Sequence, residues 1–448
     1  MIGIARVWII AAFLACSQMS LAGSGQEQEY AAGLSAYEAG NYEEALAHWR
    51  PLAQQGNTQA QFNVGFMYLK GEGVPVDKEI GNNWLLKAAE LGHDKAQYNL
   101  GIAYLKGEGR PLDVEAAKKW LSKSAAQGYA QAQYALALLL MREGKKNFPE
   151  AASLFKKAAA RNHVMAQLAL GRLYRDGLGV EKDIGEAVKW LRKAMENKSP
   201  EAVYELAMLN PARGQSLNSK EGLANIRKAA ELGYARAQYE LGAAYMTGKY
   251  LEKDEKKGFQ WLLKAAENNY VAAQHDVAYA YDKGLGVEKD AAKAREWYTR
   301  AAKAGYAMSQ YALAQILAKD EKLTDRAEQA FQWTKKAATQ GYAPAQYALG
   351  TMYAEGNGVG QDYGQAMYWY KKGIAQGDGD SMYGLANLYA NGLGVAKNLK
   401  EGHKWYCRAA YAKQKWAVNM FKDKDLSVVC AGVEPVEQKN SPEQVSEQ

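Results

Sequence analysis

Side chains able to do covalent chemistry are few in this 448-residue chain, and they do not gather. Five His are scattered over it: His48 and His403 in helix-like segments, His93 and His163 between such segments, His275 in a slot otherwise held mostly by Tyr. There is no His-Glu-x-x-His and no Cys-x-x-Cys, so no zinc pattern emerges. Six Gly-x-Gly turns (Gly71/Gly73, Gly107/Gly109, Gly177/Gly179, Gly284/Gly286, Gly356/Gly358, Gly392/Gly394) have the composition of phosphate loops. None continues into Gly-Lys-Ser/Thr and none follows a strand, so a need for positive φ is the better reading. Ser153-Leu-Phe-Lys156 spaces a serine and a lysine as in an acylated-serine site, but the accompanying Ser-Asp-Asn and Lys-Thr-Gly are missing. We therefore expect no catalytic residue, no cofactor and no metal.

The elements that carry these residues follow from composition and period. Apolar residues make up 48% and charged residues 23%, ordinary for a soluble globular chain. Nine Pro in the whole sequence suit long helical stretches. The net charge of +7 is mild, and a nucleic-acid binder concentrates such charge in a stripe, so no nucleic acid is expected as a partner.

Internal repetition organises most of the chain. One slot holds Trp84, Trp120, Leu154, Trp190, Asn225, Trp261, Trp297, Trp333, Trp369 and Trp405, in steps of 34 to 36 residues. On this phase repeats begin at Thr58, Asp94, Ala130, Val164, Pro200, Ala235, Val271, Ala307, Ala343 and Gly379; a divergent unit before Thr58 counts as repeat 1. Each reads as two helices, A and B, around a turn. A position in helix A is always small (Gly65, Gly101, Ala137, Gly171 and onward to Ala386), as is the one three before the Trp slot, from Gly81 to Gly402. Gly costs up to about 1 kcal/mol inside a helix, so its recurrence predicts close backbone approach. Seven residues before the Trp slot, nine of ten repeats place Asp or Asn, which predicts helix N-caps, with a capping box where Glu150, Glu186, Glu221, Gln365 or Glu401 follows. Three residues after the slot stands Lys or Arg in all ten, from Lys87 to Arg408. A cation near a helix C-terminus gains from the dipole; a basic ridge for an anionic polymer is the alternative.

The unit Ala-Gln-Tyr-x-Leu-Gly-x-x-Tyr…Gly-x-Gly-Val-x-x-Asp…Ala-x-x-Trp-x-x-Lys-Ala-Ala-x-x-Gly resembles the Sel1-like repeat, a relative of the tetratricopeptide repeat. Gly40-Asn41-Tyr42-Glu43-Glu44-Ala45 resembles an ordinary tetratricopeptide unit. The resemblance implies an all-α, right-handed α/α superhelical solenoid of about ten helix pairs, with a tetratricopeptide-like first unit and a short C-terminal cap. It also implies a non-enzymatic adaptor for protein partners, as in bacterial envelopes. Alginate-export scaffold lipoproteins share the repeat type, which makes exopolysaccharide biosynthesis or export a candidate setting and an anionic polysaccharide a second partner class. A secreted factor for a host or surface ligand is one alternative; an enzyme acting on β-lactams or cell wall, resting on Ser153 and Lys156, is the weaker one.

By the same resemblance, two helix A slots border a binding groove. They carry Tyr98, Tyr134, Tyr239, Tyr311, Tyr347 and Tyr383 in one, and Arg172 and Tyr279 in the other. Tyr combines an apolar ring with a hydroxyl, which suits peptides or sugars; packing between neighbouring helices A is the competing role. Repeats 4, 6 and 9 depart from the Gly-x-Gly turn at residues 143–147, 210–218 and 319–324, where bends or contact loops are expected.

The chain starts as an export signal does: Arg6, an apolar run Val7–Cys16, then Ser20-Leu21-Ala22 with small residues before the cut. Cleavage after Ala22 makes the mature protein periplasmic or secreted and not transmembrane. Phe13-Leu14-Ala15-Cys16 gives the alternative of an outer-membrane lipoprotein through Cys16. Cys407 and Cys430 then remain, and an isolated pair in an oxidising compartment predicts a disulfide. The organisation expected is signal peptide 1–22, divergent repeat 23–57, ten repeats 58–414, and capping helix with an acidic tail 415–448.

Overall fold

The computed structural model describes residues 25–209, 219–413, 415–422 and 425–435. The export signal, Cys16, Asn218 and most of the acidic tail lie outside the described residues. Among the described residues the secondary structure is helical, without strands. All ten expected helix A starts, from Thr58 to Gly379, are helix starts. Repeat 3 shows the plan: helix A Asp94–Lys106, a turn, helix B Val114–Ala126. The chain divides into two compact units, Met1–Ser216 and Leu217–Gln448. In the first unit each helix from Tyr42–Gln54 to Pro200–Met208 packs on the next in order, and in the second each from Lys220–Glu231 to Lys415–Met420 does so, the arrangement of an α/α solenoid.

The capping column behaves largely as expected. Asp77, Asp113, Asp183, Asp254, Asp290, Asp362 and Asn398 each accept from the backbone N–H three residues on, at 2.8–3.0 Å. Three repeats differ. Ser219, not Asn218, caps helix Lys220–Glu231; Arg326 opens its helix behind Asp325; Asn147 makes no side-chain cap bond after the 3-10 turn Lys145–Asn147. The reciprocal half of the capping box has no donor to serve. The backbone N–H of Asp183, Asp362 and Asn398 already donates to the carbonyl of Tyr174, Tyr353 or Tyr389, at 2.8–2.9 Å.

Close approach explains the small residues. A Cβ on Gly65 would stand 2.9 Å from the Gly81 carbonyl oxygen, and one on Gly101 2.8 Å from Leu121 Cγ. The Gly-x-Gly turns use their two glycines differently. The first ends helix A in the left-handed region, as Gly107 does at φ 66°. The second, also at positive φ, lies against the start of the preceding helix B: a Cβ on Gly109 would sit 2.6 Å from Lys78 backbone atoms. In repeat 7 this place is taken by Tyr250, at φ 72°.

A buried glutamine ladder joins the pairs. Gln61, Gln97, Gln133, Gln167, Gln238, Gln274, Gln310 and Gln346 each donate Nε2 to an alanine carbonyl eight residues earlier, at 3.0–3.3 Å. Five of these accept in turn from an amide thirty residues on (Gln127, Asn197, Asn268, Gln340, Gln376), at 2.7–3.1 Å. The remaining three, Gln61, Gln133 and Gln274, leave Oε1 without a partner. Leu91, Arg161 and Ala304 occupy the matching helix ends and carry no side-chain amide. An unmet buried acceptor costs about 1–3 kcal/mol. Ala304 is exposed, so Ala304→Gln should raise stability by about 1 kcal/mol, measured by urea unfolding, while Ala304→Leu should give no such gain.

After the last full repeat, the short helices Lys415–Met420 and Leu426–Val429 cover its end, burying Ala417 and Phe421. The disulfide Cys407–Cys430 ties this segment to helix Leu399–Tyr411 with both sulfurs buried.

Candidate functional site

Four of the six helix A tyrosines make ring contacts that cross from one repeat to the next. Tyr98 meets Tyr129 at 5.4 Å between centroids, Tyr134 meets His163 at 4.7 Å, Tyr239 meets Tyr270 at 4.9 Å, and Tyr311 meets Tyr342 at 5.8 Å. The second ring belongs each time to the residue just before the next helix A. Tyr347 and Tyr383 turn instead to Tyr370 and Tyr406 of their own helix B, at 5.9 and 5.5 Å. All six are half-buried. The packing role thus holds for each, with the remaining ring surface open on the helix A face. Tyr279 is different: it is 45% exposed on that face.

Arg172 is engaged inside the first unit. Its guanidinium donates to Glu205 Oε1 at 2.7 Å and also binds Glu201, both on helix Pro200–Met208. Arg175 reaches Glu205 Oε2, and Glu205 itself is buried. The group read as a groove cation is therefore an inter-repeat clamp.

The junction residues held information that spacing alone did not expose. His93 and His163 are helix caps, each accepting through Nδ1 from Ala96 or Ala166 N–H at 3.2 Å. Burial lowers both imidazoles, which suits the neutral acceptor form. The basic column has a second cause besides the dipole. Lys87, Lys123, Lys193, Lys264, Arg300, Lys336 and Arg408 lie over Trp84, Trp120, Trp190, Trp261, Trp297, Trp333 and Trp405, at 4.0–4.7 Å from a ring centroid. Each such pair contributes about 0.5–1 kcal/mol at an exposed position. Lys372 breaks the series by lying over Tyr368, 5.5 Å from its centroid. Ser153 and Lys156 are exposed on helix Phe148–Ala160.

Repeat 8 carries two strongly perturbed groups side by side on helix A. His275 is half-buried beside Ser309, 2.9 Å from Nδ1 to the hydroxyl, and desolvation lowers its imidazole to about 4. Next to it Asp276 is pushed up to about 6 by burial, against a smaller opposing effect of the Tyr239 hydroxyl. Their signs oppose. Between pH 6 and 4 folded Asp276 binds a proton more readily than the unfolded chain, which adds stability as pH falls; His275 binds one less readily, which removes it. Asp276→Asn should therefore stabilise the protein at pH 7 by about 1–2 kcal/mol. The variant should lose that advantage by pH 4, in thermal melts compared with the parent.

The Sel1 repeat profile matches eleven segments, 14–57, 58–93, 94–129, 130–163, 164–199, 200–234, 235–270, 271–306, 307–342, 343–378 and 379–413. Its boundaries after residue 57 coincide with the helix A starts, and the divergent first unit is included. Among solved structures, a protective antigen present in uropathogenic Escherichia coli strains and displaying an SLR fold is 28% identical. The match covers 96% of this chain and 92% of that one, with a TM-score of 0.55. A Sel1 repeat protein from Oxalobacter formigenes is 27% identical over 76% of this chain and 89% of that one, TM-score 0.43. Chitin synthase regulatory factor 3 of Schizosaccharomyces pombe is 34% identical over 111 residues, which are 23% of this chain and 12% of that protein.

Proposed function

This chain belongs to the Sel1 repeat family, a non-enzymatic scaffold type whose members mediate protein–protein interactions, and from that premise we propose that it is an exported adaptor holding a protein partner on its helix A faces. The observation that carries the reading is the ring-lined face itself. Tyrosine recurs along it, held in position by edge-on and tilted ring contacts at the junctions, so a partner meets aromatic surface whose ordering cost is already met. Export is supported by Arg6 with the apolar run Val7–Cys16 and by a buried disulfide, a bond that persists in oxidising compartments. The Escherichia coli relative being a protective antigen agrees with that setting. Within it, the cell envelope, and exopolysaccharide biosynthesis or export in particular, is the pathway we favour; retention through Cys16 is the variant form.

A photo-crosslinking amino acid placed at Tyr279, on the helix A face, or at Tyr368, exposed on helix Tyr363–Ile374, tests the reading. Crosslinked partner should form at position 279 in intact cells and not at 368. Adducts at 368 alone would move the interface to the helix B side. Cell fractionation checks export: mature chain found only in the cytoplasm would remove that part of the proposal.

A further inference from the structure

Charge divides between the two helix types of the second unit. Its helices B, from Lys220–Glu231 to Leu399–Tyr411, hold eighteen Lys and Arg against seven Asp and Glu. Its helices A hold two against five. The mild net charge of +7 conceals this partition. The excess is sharpest in the C-terminal halves of three successive helices B. Residues 297–303, 333–339 and 369–374 include no acid, and each stretch carries two cations: Arg300 and Lys303, Lys335 and Lys336, Lys371 and Lys372. Among the described residues only Arg300 of these has an ion pair, with Glu296 at 2.7 Å. The capping Asp290 and Asp362 stand at the opposite helix ends.

A hollow of about 420 Å³ opens in the middle of this stretch, lined by Gln310, Gln332, Lys335, Lys336, Thr339 and Gln340. Its wall is ordered. Gln340 donates to the buried Gln310 at 2.7 Å, and Lys336 is held over Trp333, 4.0 Å from a ring centroid. Thr339 donates to the Lys335 carbonyl at 2.7 Å, and its oxygen can still accept. Gln332 is exposed, without a side-chain partner among the described residues. No aliphatic or aromatic residue lines the hollow, so it offers neither a bed for acyl chains nor a platform on which bases stack. Neighbouring lysines repel one another, and a polyanion relieves that cost. Cations beside amides and a hydroxyl match a molecule that carries both acid groups and many hydroxyls. We propose that this stretch of helices B binds an acidic polysaccharide, with carboxylate or sulfate groups on the lysines and sugar hydroxyls on the amides. The cation pair recurs in three successive repeats, so a polymer with regularly spaced acid groups engages them in turn. The surface does not use the helix A tyrosines, and neither reading depends on the other.

The test titrates the mature full chain with oligogalacturonate, dextran sulfate and neutral dextran, beside polyphosphate and anionic vesicles, read by calorimetry. An acidic saccharide should bind, more weakly as salt rises, and dextran should not; the tighter of the two acidic probes identifies the acid group. Lys335→Gln combined with Lys336→Gln should weaken that binding about tenfold. Lys256→Gln combined with Lys257→Gln, the same loss of charge at the start of helix Glu255–Glu267, should leave it unchanged. Gln332→Ala should weaken the saccharide about threefold through one lost hydrogen bond and leave polyphosphate as it was. All five positions are exposed, and thermal melts should show every variant folded. Failure of both acidic saccharides to bind, equal losses in the two double variants, a Gln332→Ala loss shared by polyphosphate, or tighter binding of vesicles than of saccharide overturns the proposal. Crosslinking at position 279 is unaffected by any of these outcomes, so the adaptor reading stands or falls separately.

Discussion

Gly286→Ala should lower the stability of repeat 8 by about 3 kcal/mol or more, while Gly305→Ala should cost no more than about 1–2 kcal/mol. Both glycines have positive φ, 68° and 94°. They differ in what stands nearby. A methyl at Gly286 would overlap the Glu255 carbonyl at the start of the preceding helix B, whereas nothing lies within 4 Å of the same atom on Gly305. The left-handed backbone alone costs a non-glycine residue about 1–2 kcal/mol; the excess at Gly286 reports the joint between two repeats. Hydrogen exchange should show faster opening across 255–306 in Gly286→Ala. If the two variants opened alike, the second glycine would be only a turn former and not a joint.

Cutting the Cys407–Cys430 bond should cost about 3 kcal/mol in the C-terminal segment. The bond closes a loop between residues 23 apart, and without it the short helices over the last repeat depend on a modest apolar contact. Among the described residues of this segment, Ala417, Phe421 and Cys430 are buried. Cys407→Ser, or reduction of the parent, should open 415–435 to trypsin at Lys415 and Lys422 while 271–306 keeps its protection. Because such arrays unfold by segments, a single global midpoint is the wrong readout. Two free thiols in the unfolded, unreduced mature protein would contradict the bond itself.

The sequence was most informative where a device repeats within one helix. Periodic Trp and small residues set the phase, and Asp77, Asp113 and their equivalents marked helix starts because an N-cap acts over three residues. Devices that reach into the next repeat were less legible. The Ala-Gln pair stood out as a motif, but its meaning needs the amide thirty residues on, as at Gln97 and Gln127. The second glycine of each turn looked like turn chemistry because its contact, Lys78 for Gly109, lies in the previous repeat. The Lys column was legible as i, i+3 to Trp, yet dipole and ring attraction place a cation at the same spot, so spacing could not separate them. For the candidate site, one helix face carries both the stacked edge and the open edge of each Tyr ring. Arg172 shows the difficulty most plainly: its exposure to a ligand was decided by Glu201 and Glu205, about thirty residues away.

The glutamine ladder and the glycine joints share a property with consequences for how such a chain changes over generations. Each reaches one neighbour and stops: Gln238 to Asn268, Gly286 to Glu255. Removing or duplicating a whole block such as 271–306 would bring together ends that carry the same fittings. A cut at any other length would leave them mismatched. Point changes in the fittings are punished, while changes of whole blocks are comparatively free. The length of the binding face is thus the trait most open to gain and loss.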